Sequence, residues 1–405
     1  MDLGFEGDFD TLSASINEIM HPDWAVGSIK KDMWVHLSKT RFHNIFANDI
    51  RKDAQEAWTN YFSKKGIDKD VYHLGSIVDL VKLHDESGVN VFPKNVDVVT
   101  GGFPCQDFSV AGKRLGFDSD KSHTGNKIVG DSIPSIESRG QLYMWMRSVI
   151  AITEPKMFIA ENVKGLTNLS DAKEIIENDF RTVSKNGYLV VNARILQAAN
   201  YGVPQSRERV IFIGFKKSEL TDEAKKALSS PIIPPEYDPY PPPTHAYNSV
   251  AENLLPPTNL RQALYGLKEP EESSDLSQQK LSKAKYMGTH CQGQTEINLD
   301  GISPTIRSEH HGNIEFRRLS IEHGGKYQDE LCKGLNERRL TVRECARIQT
   351  FPDDYQFIIP PANGKKGVSA SDAYKIIGNA VPPLLAYNIA KQLEKNWELY
   401  FGEKK

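Results

Sequence analysis

The sequence predicts an α/β fold on a parallel sheet, with a second, smaller domain inserted late in the chain. Three observations carry this prediction. Short apolar runs that end in polar or glycine-rich turns alternate with helix-like stretches through the first half, as βαβ units require. The composition breaks between Ser229 and Tyr247, where seven prolines occur. Helical periodicity then returns after Arg338 and continues toward the C-terminus.

Taken in order, the predicted strands are His43 to Ala47 before Asn48-Asp49, Val96 to Val99 before Thr100-Gly101-Gly102, and Met157 to Ala160 before Glu161-Asn162. Arg139 to Ile152 and Asp171 to Val183 read as helices between them. Ligands of such sheets sit beyond the carboxyl ends of the strands, where these polar residues fall. Gly187 to Phe215 reads as two strands around a connection, a hairpin at the sheet edge. The proline-rich stretch predicts an extended, semi-rigid linker. Asn248 to Glu337 is polar and irregular, with no sustained period, and reads as the smaller domain. In "LTVRECARIQTF", Thr341 and Glu344 have capping-box spacing, and Cys345, Ile348 and Phe351 form a buried stripe. The final helix begins near Pro382-Pro383 and sets Leu385, Ile389 and Leu393 on one face. The predicted boundaries are 1–228 for the first part of the main domain, 229–338 for the linker and insert, and 339–405 for the closing helices.

The 405 residues carry a net charge of −3, so any basic surface for a nucleic acid has to be local. The four cysteines, Cys105, Cys291, Cys332 and Cys345, lie far apart, without CxxC or paired histidine spacing, which argues against a metal site. Such usage fits a reducing cytoplasm. The N-terminus is acidic where a signal peptide is basic, and no run of about 18 apolar residues occurs. These features predict a cytoplasmic protein not bound to a membrane; a monomer is expected.

The chemistry concentrates in five motifs: Pro104-Cys105-Gln106, Glu161-Asn162-Val163, Gln205-Ser206-Arg207-Glu208-Arg209, Arg339-Leu340-Thr341 with Arg343-Glu344-Cys345, and Gly378-Asn379-Ala380-Val381. In this order the chain resembles the DNA cytosine-5 methyltransferases over nearly its whole length, the region after the proline-rich linker excepted. The resemblance implies a Rossmann-like, S-adenosylmethionine-dependent domain with an inserted target-recognition domain. It also implies double-stranded DNA as substrate and a restriction endonuclease as functional partner. Carbon 5 of cytosine is a poor nucleophile until a thiolate adds at carbon 6, and Cys105 resembles that nucleophile. Glu161 resembles the acid that relieves charge at N3. Arg209 takes the position expected to contact the cytosine oxygen, and Arg207 the position that supports the site. The target base has to leave the helical stack to reach such a pocket.

By the same resemblance Asp49 grips the cofactor ribose, Ile50 lies against the adenine, and Ser76, Ile77, Pro104 and Asn379 line the cofactor pocket. Ser76 stands where the family often has aspartate. The loop from Ser109 to Arg139 is longer than the family's compact form. "LDGISPTIRSEHHGNIEF" (Leu299 to Phe316) resembles target-domain segments, which makes Thr305, Arg307 and His310-His311 candidates for groove contacts. The family opens with a strand and Phe-x-Gly-x-Gly-Gly ahead of a segment like Met1 to Glu6, and this chain starts at that segment. The expectation is weak S-adenosylmethionine binding by the chain as written, with the strand supplied from upstream of Met1 or by a separate polypeptide. Two other readings use the same residues: a tRNA cytosine methyltransferase, which typically has a smaller target domain, and a DNA-binding relic that has lost its cofactor loop.

Overall fold

The computed structural model describes residues 1–30, 33–103, 143–168, 172–248, 250–308, 313–362 and 366–402. Helix α1 (Asp2–Glu6) lies against the last helix of the chain, so closely that a Cβ at Gly4 would come within 2.4 Å of the Pro383 carbonyl oxygen. Strands β1 (Asp10–Leu12), β2 (Ala25–Lys30) and β3 (Trp34–Leu37) form a small antiparallel sheet in the order β1-β3-β2. Sequence reading does not find this sheet, because its strands are short and β2 mixes glycine, serine and lysine with apolar residues.

Next come β4 (Ala47–Asp49), α2 (Lys52–Phe62), β5 (Tyr72–Leu74) and α3 (Ile77–Ser87), with β4 and β5 parallel. They are followed by β6 (Val98–Gly102), α4 (Tyr143–Thr153), β7 (Met157–Val163), α5 (Ala172–Arg181), β8 (Tyr188–Val190), β9 (Arg194–Gln197) and β10 (Glu208–Lys216). β6 runs parallel to β7, while β10 runs antiparallel to β7 on one side and to β8 and β9 on the other. β10 is therefore interior, not at the edge as the hairpin pattern predicts. Its unbroken buried run from Val210 to Phe215 suits a strand covered on both faces. The predicted strands also begin later or extend further than their apolar cores. Asp49, Gly101, Gly102 and Glu161 lie within strands because pairing with a neighbour continues past the apolar residues.

Period-two alternation divides the sheet between two cores. Met157, Ile159, Ile211, Ile213 and Phe215 face one core, while Phe158, Ala160, Val210 and Phe212 face the other. Burying each large side chain contributes roughly 1.5–3 kcal/mol. Among the described residues β4 hydrogen-bonds only β5, and β6 only β7, so the parallel strands form two groups.

After α6 (Asp222–Leu228) the proline-rich stretch is extended apart from one short 3-10 turn, Pro235–Tyr237. The remaining elements are α7 (Leu260–Ala263), α8 (Leu276–Gln279), β11 (Phe316–Arg318), α9 (Gln328–Cys332), β12 (Arg338–Arg339), α10 (Val342–Ile348), α11 (Ala370–Asn379) and α12 (Pro383–Phe401). The Thr341–Glu344 capping box forms at the start of α10, and Cys345, Ile348, Leu385, Ile389 and Leu393 are fully buried. Leu260, Ile297, Leu299, Ile306 and Ile314 of the insert share one apolar core with them. No described helix is long and apolar enough to cross a membrane.

A carboxylate–guanidinium ladder ties the insert to α10. Glu269 accepts from Arg338 Nε at 2.8 Å and Arg318 Nη2 at 2.9 Å, and Arg338 also holds Glu344 at 2.9 Å. Burial raises the Glu269 carboxyl, but the two guanidiniums outweigh it and hold the group at about 2. An unfolded-chain glutamate ionises near 4.5, so this stabilisation is complete above that pH and fades as pH falls toward 2. Removing one partner of a buried pair costs on the order of 3 kcal/mol, and less for the 22% exposed Glu269 side chain. Glu269→Gln is therefore expected to lower the melting temperature at pH 7, with the gap to wild type narrowing below about pH 4.5. Thermal unfolding from pH 7 to pH 3 checks this, and a pH-independent gap contradicts it.

Candidate active site

The parallel pairing of β6 with β7 sets Gly102 opposite Glu161 at the carboxyl end of both strands. A Cβ on Gly102 would lie 3.1 Å from Glu161 Oε2, so the carboxylate rests against the strand end. Asn162, 1% exposed, donates from Nδ2 to the Phe103 carbonyl at 3.3 Å. The backbone leading into Pro104 is thus held beside Glu161. Pro104 and Cys105 themselves, like the long loop after them, lie outside the described residues.

β10 supplies the basic partners. Because β10 is antiparallel to β7 and places Ile211 opposite Glu161, Arg209 is the diagonal neighbour of Glu161 on the same face. Arg209 Nε meets Glu161 Oε1 at 2.6 Å, and the two side chains are only 12% and 13% exposed. This charge-assisted bond holds the carboxylate and the guanidinium in one fixed geometry. Glu208 forms its ion pair with Lys164, at 3.0 Å, and not with Arg207.

Arg207 points inward. It is 1% exposed and donates to three main-chain carbonyls: Ile306 at 2.9 Å, Gly378 at 2.7 Å and Ala380 at 2.9 Å. It fastens the backbone at Ile306 to that on both sides of Asn379. The same seam takes residues read as groove contacts. Ser303 N donates to the Pro204 carbonyl at 3.0 Å, Ser206 N to the Ser303 carbonyl at 2.8 Å, and Thr305 Oγ1 to the Ser206 carbonyl at 2.5 Å. Arg307 bonds to Gln292. Thr305 is therefore occupied in joining the insert to the sheet; its stretch pairs along 204–207, a long-range match that local pattern does not reveal. His310 and His311 lie outside the described residues.

Asp49, Ile50, Ser76 and Ile77 fall at or just past the carboxyl ends of β4 and β5, where Asp49 is registered with Leu74. Asp49 Oδ1 accepts from the Arg51 amide at 2.9 Å, and burial raises its carboxyl while that amide opposes the rise. Ile50 and Leu74 are 54% and 42% exposed, leaving apolar surface beside a carboxylate. An adenosine offers the complement: a flat apolar base and ribose hydroxyls that donate to a carboxylate. Ser76 is buried and caps α3 by accepting from Val78 N at 3.3 Å, and Ile77 opens that helix. Asn379 is exposed at the end of α11.

Sequence reading assigns no roles to Asn162, Gly102, Gln205 and Gln349. Asn162 and Gln205 sit within two of the motifs, but only their burial shows what they hold.

The mixed sheet with its helices fits an α/β, Rossmann-like methyltransferase fold, and the acid–arginine pair stands at its strand ends. The family model described as C-5 cytosine-specific DNA methylase matches residues 33–395, and the chain belongs to that family. It is thus an enzyme of the DNA cytosine-5 methyltransferase class. The chain is 31% identical to the type II methyltransferase M.BsuRI of Bacillus subtilis over 412 residues, covering 100% of this chain and 78% of the relative. It is 30% identical to M.NgoPII of Neisseria gonorrhoeae, covering 79% of this chain and 82% of the relative. The crystal structure of the S. pombe Dnmt2 methyltransferase aligns with a TM-score of 0.50 at 18% identity, covering 86% of this chain and 90% of that one, a likeness of fold.

Proposed function

We propose that the protein methylates carbon 5 of a cytosine flipped out of a specific duplex DNA sequence, using S-adenosylmethionine, and so protects DNA from a partner restriction endonuclease. The Arg209–Glu161 pair, set against the strand end that leads into Pro104-Cys105, carries this reading. The relatives' type II designation supports the endonuclease partnership.

In this reading Cys105 Sγ bonds to cytosine carbon 6, and Glu161 holds a proton at N3 while the ring takes up electron density. Arg209 binds the cytosine carbonyl oxygen, and its bond to Glu161 keeps both groups aimed at one base edge. S-adenosylmethionine, when bound, supplies an electrophilic methyl group. Asp49 and Ile50 would hold its ribose and adenine, with Ser76, Ile77, Pro104 and Asn379 around them. Loss of the carbon 5 proton to solvent, return of the N3 proton to Glu161 and expulsion of the thiolate then restore the ring. Flipping the base costs a few kcal/mol, which contacts to the flipped base offset.

The test uses the protein with duplex DNA, tRNA and radiolabelled S-adenosylmethionine at a concentration that saturates even a weak site, followed by bisulfite sequencing of the DNA. Label in the duplex at one sequence motif is the expected result. Label confined to tRNA, or none in either, overturns the proposal.

We assign sequence choice to the insert. Exchanging Asn248 to Glu337 for the corresponding region of a relative, with Ser303 to Arg307 kept to preserve the seam, is expected to move the methylated sequence to that of the donor. Bisulfite sequencing reads the outcome, and unaltered specificity in a folded exchange places recognition elsewhere.

A further inference from the structure

The structure assigns Gln349 and Gln205 as positioning residues that hold Arg209 and the Asn379 turn in one frame; this rests on the roles proposed above for those residues. Gln349 caps the C-terminal end of α10 and is fully buried. Its Nε2 donates to the Ile377 carbonyl at 3.0 Å and the Ala380 carbonyl at 2.8 Å. Its Oε1 accepts from Gln205 Nε2. Gln205, also fully buried, accepts at Oε1 from the Ile306 amide at 2.9 Å. Arg207 closes the circuit by donating to the Ile306 and Ala380 carbonyls.

This ring joins four stretches: the end of α10, the entry to β10, the insert at Ile306, and the turn on both sides of Asn379. The contact is close as well as polar, since a Cβ at Gly378 would lie 2.3 Å from the Arg307 carbonyl carbon. Side-chain chemistry explains why two glutamines stand here. Each must donate at one end and accept at the other without carrying charge into a dry site, and the carboxamide does both. A buried carbonyl left without its donor is unfavourable, so the stretches hold or yield together. Arg207 immediately precedes β10 and Arg209 is the second residue of that strand, so the aim of Arg209 at Glu161 depends on the same frame. Gln349 bonds to Gln205 and to the Ile377 and Ala380 carbonyls, so its role is one of placement.

Two substitutions separate placement from bulk stability. Gln349→Glu keeps the shape but, ionised, loses both donated bonds; Gln349→Met loses every polar contact. Both are expected to slow single-turnover methylation of a cognate duplex by roughly 10²-fold, the effect of about 1 Å of misplacement. Duplex Kd is expected to stay within about threefold of wild type, as for an interaction felt mainly in the transition state. Lowering the pH protonates the introduced glutamate and restores one donor. The Gln349→Glu rate, relative to wild type, is therefore expected to rise as pH falls, while Gln349→Met shows no such recovery. Where Gln349→Met does not fold, Gln205→Glu provides the same ionisable probe from the other side of the ring. Wild-type rates in folded variants overturn the inference. So does a rate loss that tracks loss of duplex binding and melting temperature, without pH recovery. No methylation by the wild-type protein overturns the proposed function and this inference with it.

Discussion

Cys105→Ser is expected to abolish methyl transfer while leaving duplex binding largely intact. The thiolate is the species that adds to carbon 6; a free thiol ionises near pH 8.5, within reach of adjacent positive charge, whereas a serine hydroxyl is far less acidic. DNA contacts do not depend on one sulfur atom, so an electrophoretic binding assay should give near wild-type affinity when the methylation assay gives none. A duplex carrying 5-fluorocytosine at the target supplies the positive form of the test. Fluorine cannot leave as a proton does, so the covalent adduct persists, and peptide mapping identifies the attached cysteine. The other three cysteines are distinguishable. Cys291 is half-buried, Cys332 is exposed, and Cys345 is fully buried in α10, where burial pushes its thiol well above the ordinary value. An adduct on any of these assigns the nucleophile elsewhere.

Glu161→Gln is expected to slow methylation by roughly 10²–10⁴-fold, the range for loss of a general acid or its equivalent. The amide preserves the size of the side chain, and its oxygen can still accept from Arg209 Nε, which in the wild type stands 2.6 Å from Oε1. Fold and duplex affinity should therefore survive. What disappears is a proton donor to N3 and the charge that pairs with the guanidinium. Single-turnover rates on one cognate duplex measure the loss, and an unchanged rate contradicts the role given to Glu161.

The elements that sequence reading locates best are those specified by near neighbours. The Thr341–Glu344 capping box spans three positions and forms in the structure through bonds of 3.0 Å and 2.8 Å. The apolar face Leu385, Ile389 and Leu393 repeats at helical spacing, and all three residues are fully buried in α12. Strand boundaries are less legible. Ala47–Asp49 and Met157–Val163 extend into polar residues because a neighbouring strand supplies partners that the local pattern does not encode. The sheet of β1, β2 and β3 escapes sequence reading for the same reason.

By itself the sequence determined the family, the alternation that builds an α/β sheet, and the identity of the chemically capable residues, because residue type and order along the chain are enough for these. Only the tertiary structure decided which of them meet. Arg209 reaches Glu161 through antiparallel pairing of β10 with β7, and Arg207 turns away to carbonyls 99, 171 and 173 positions distant. Thr305, read as a groove contact, is spent on the seam, and Gln205 finds Gln349 across 144 positions. Such bonds form only after the apolar faces have packed and excluded water, since a buried polar group then has to take whichever partner the fold brings within reach.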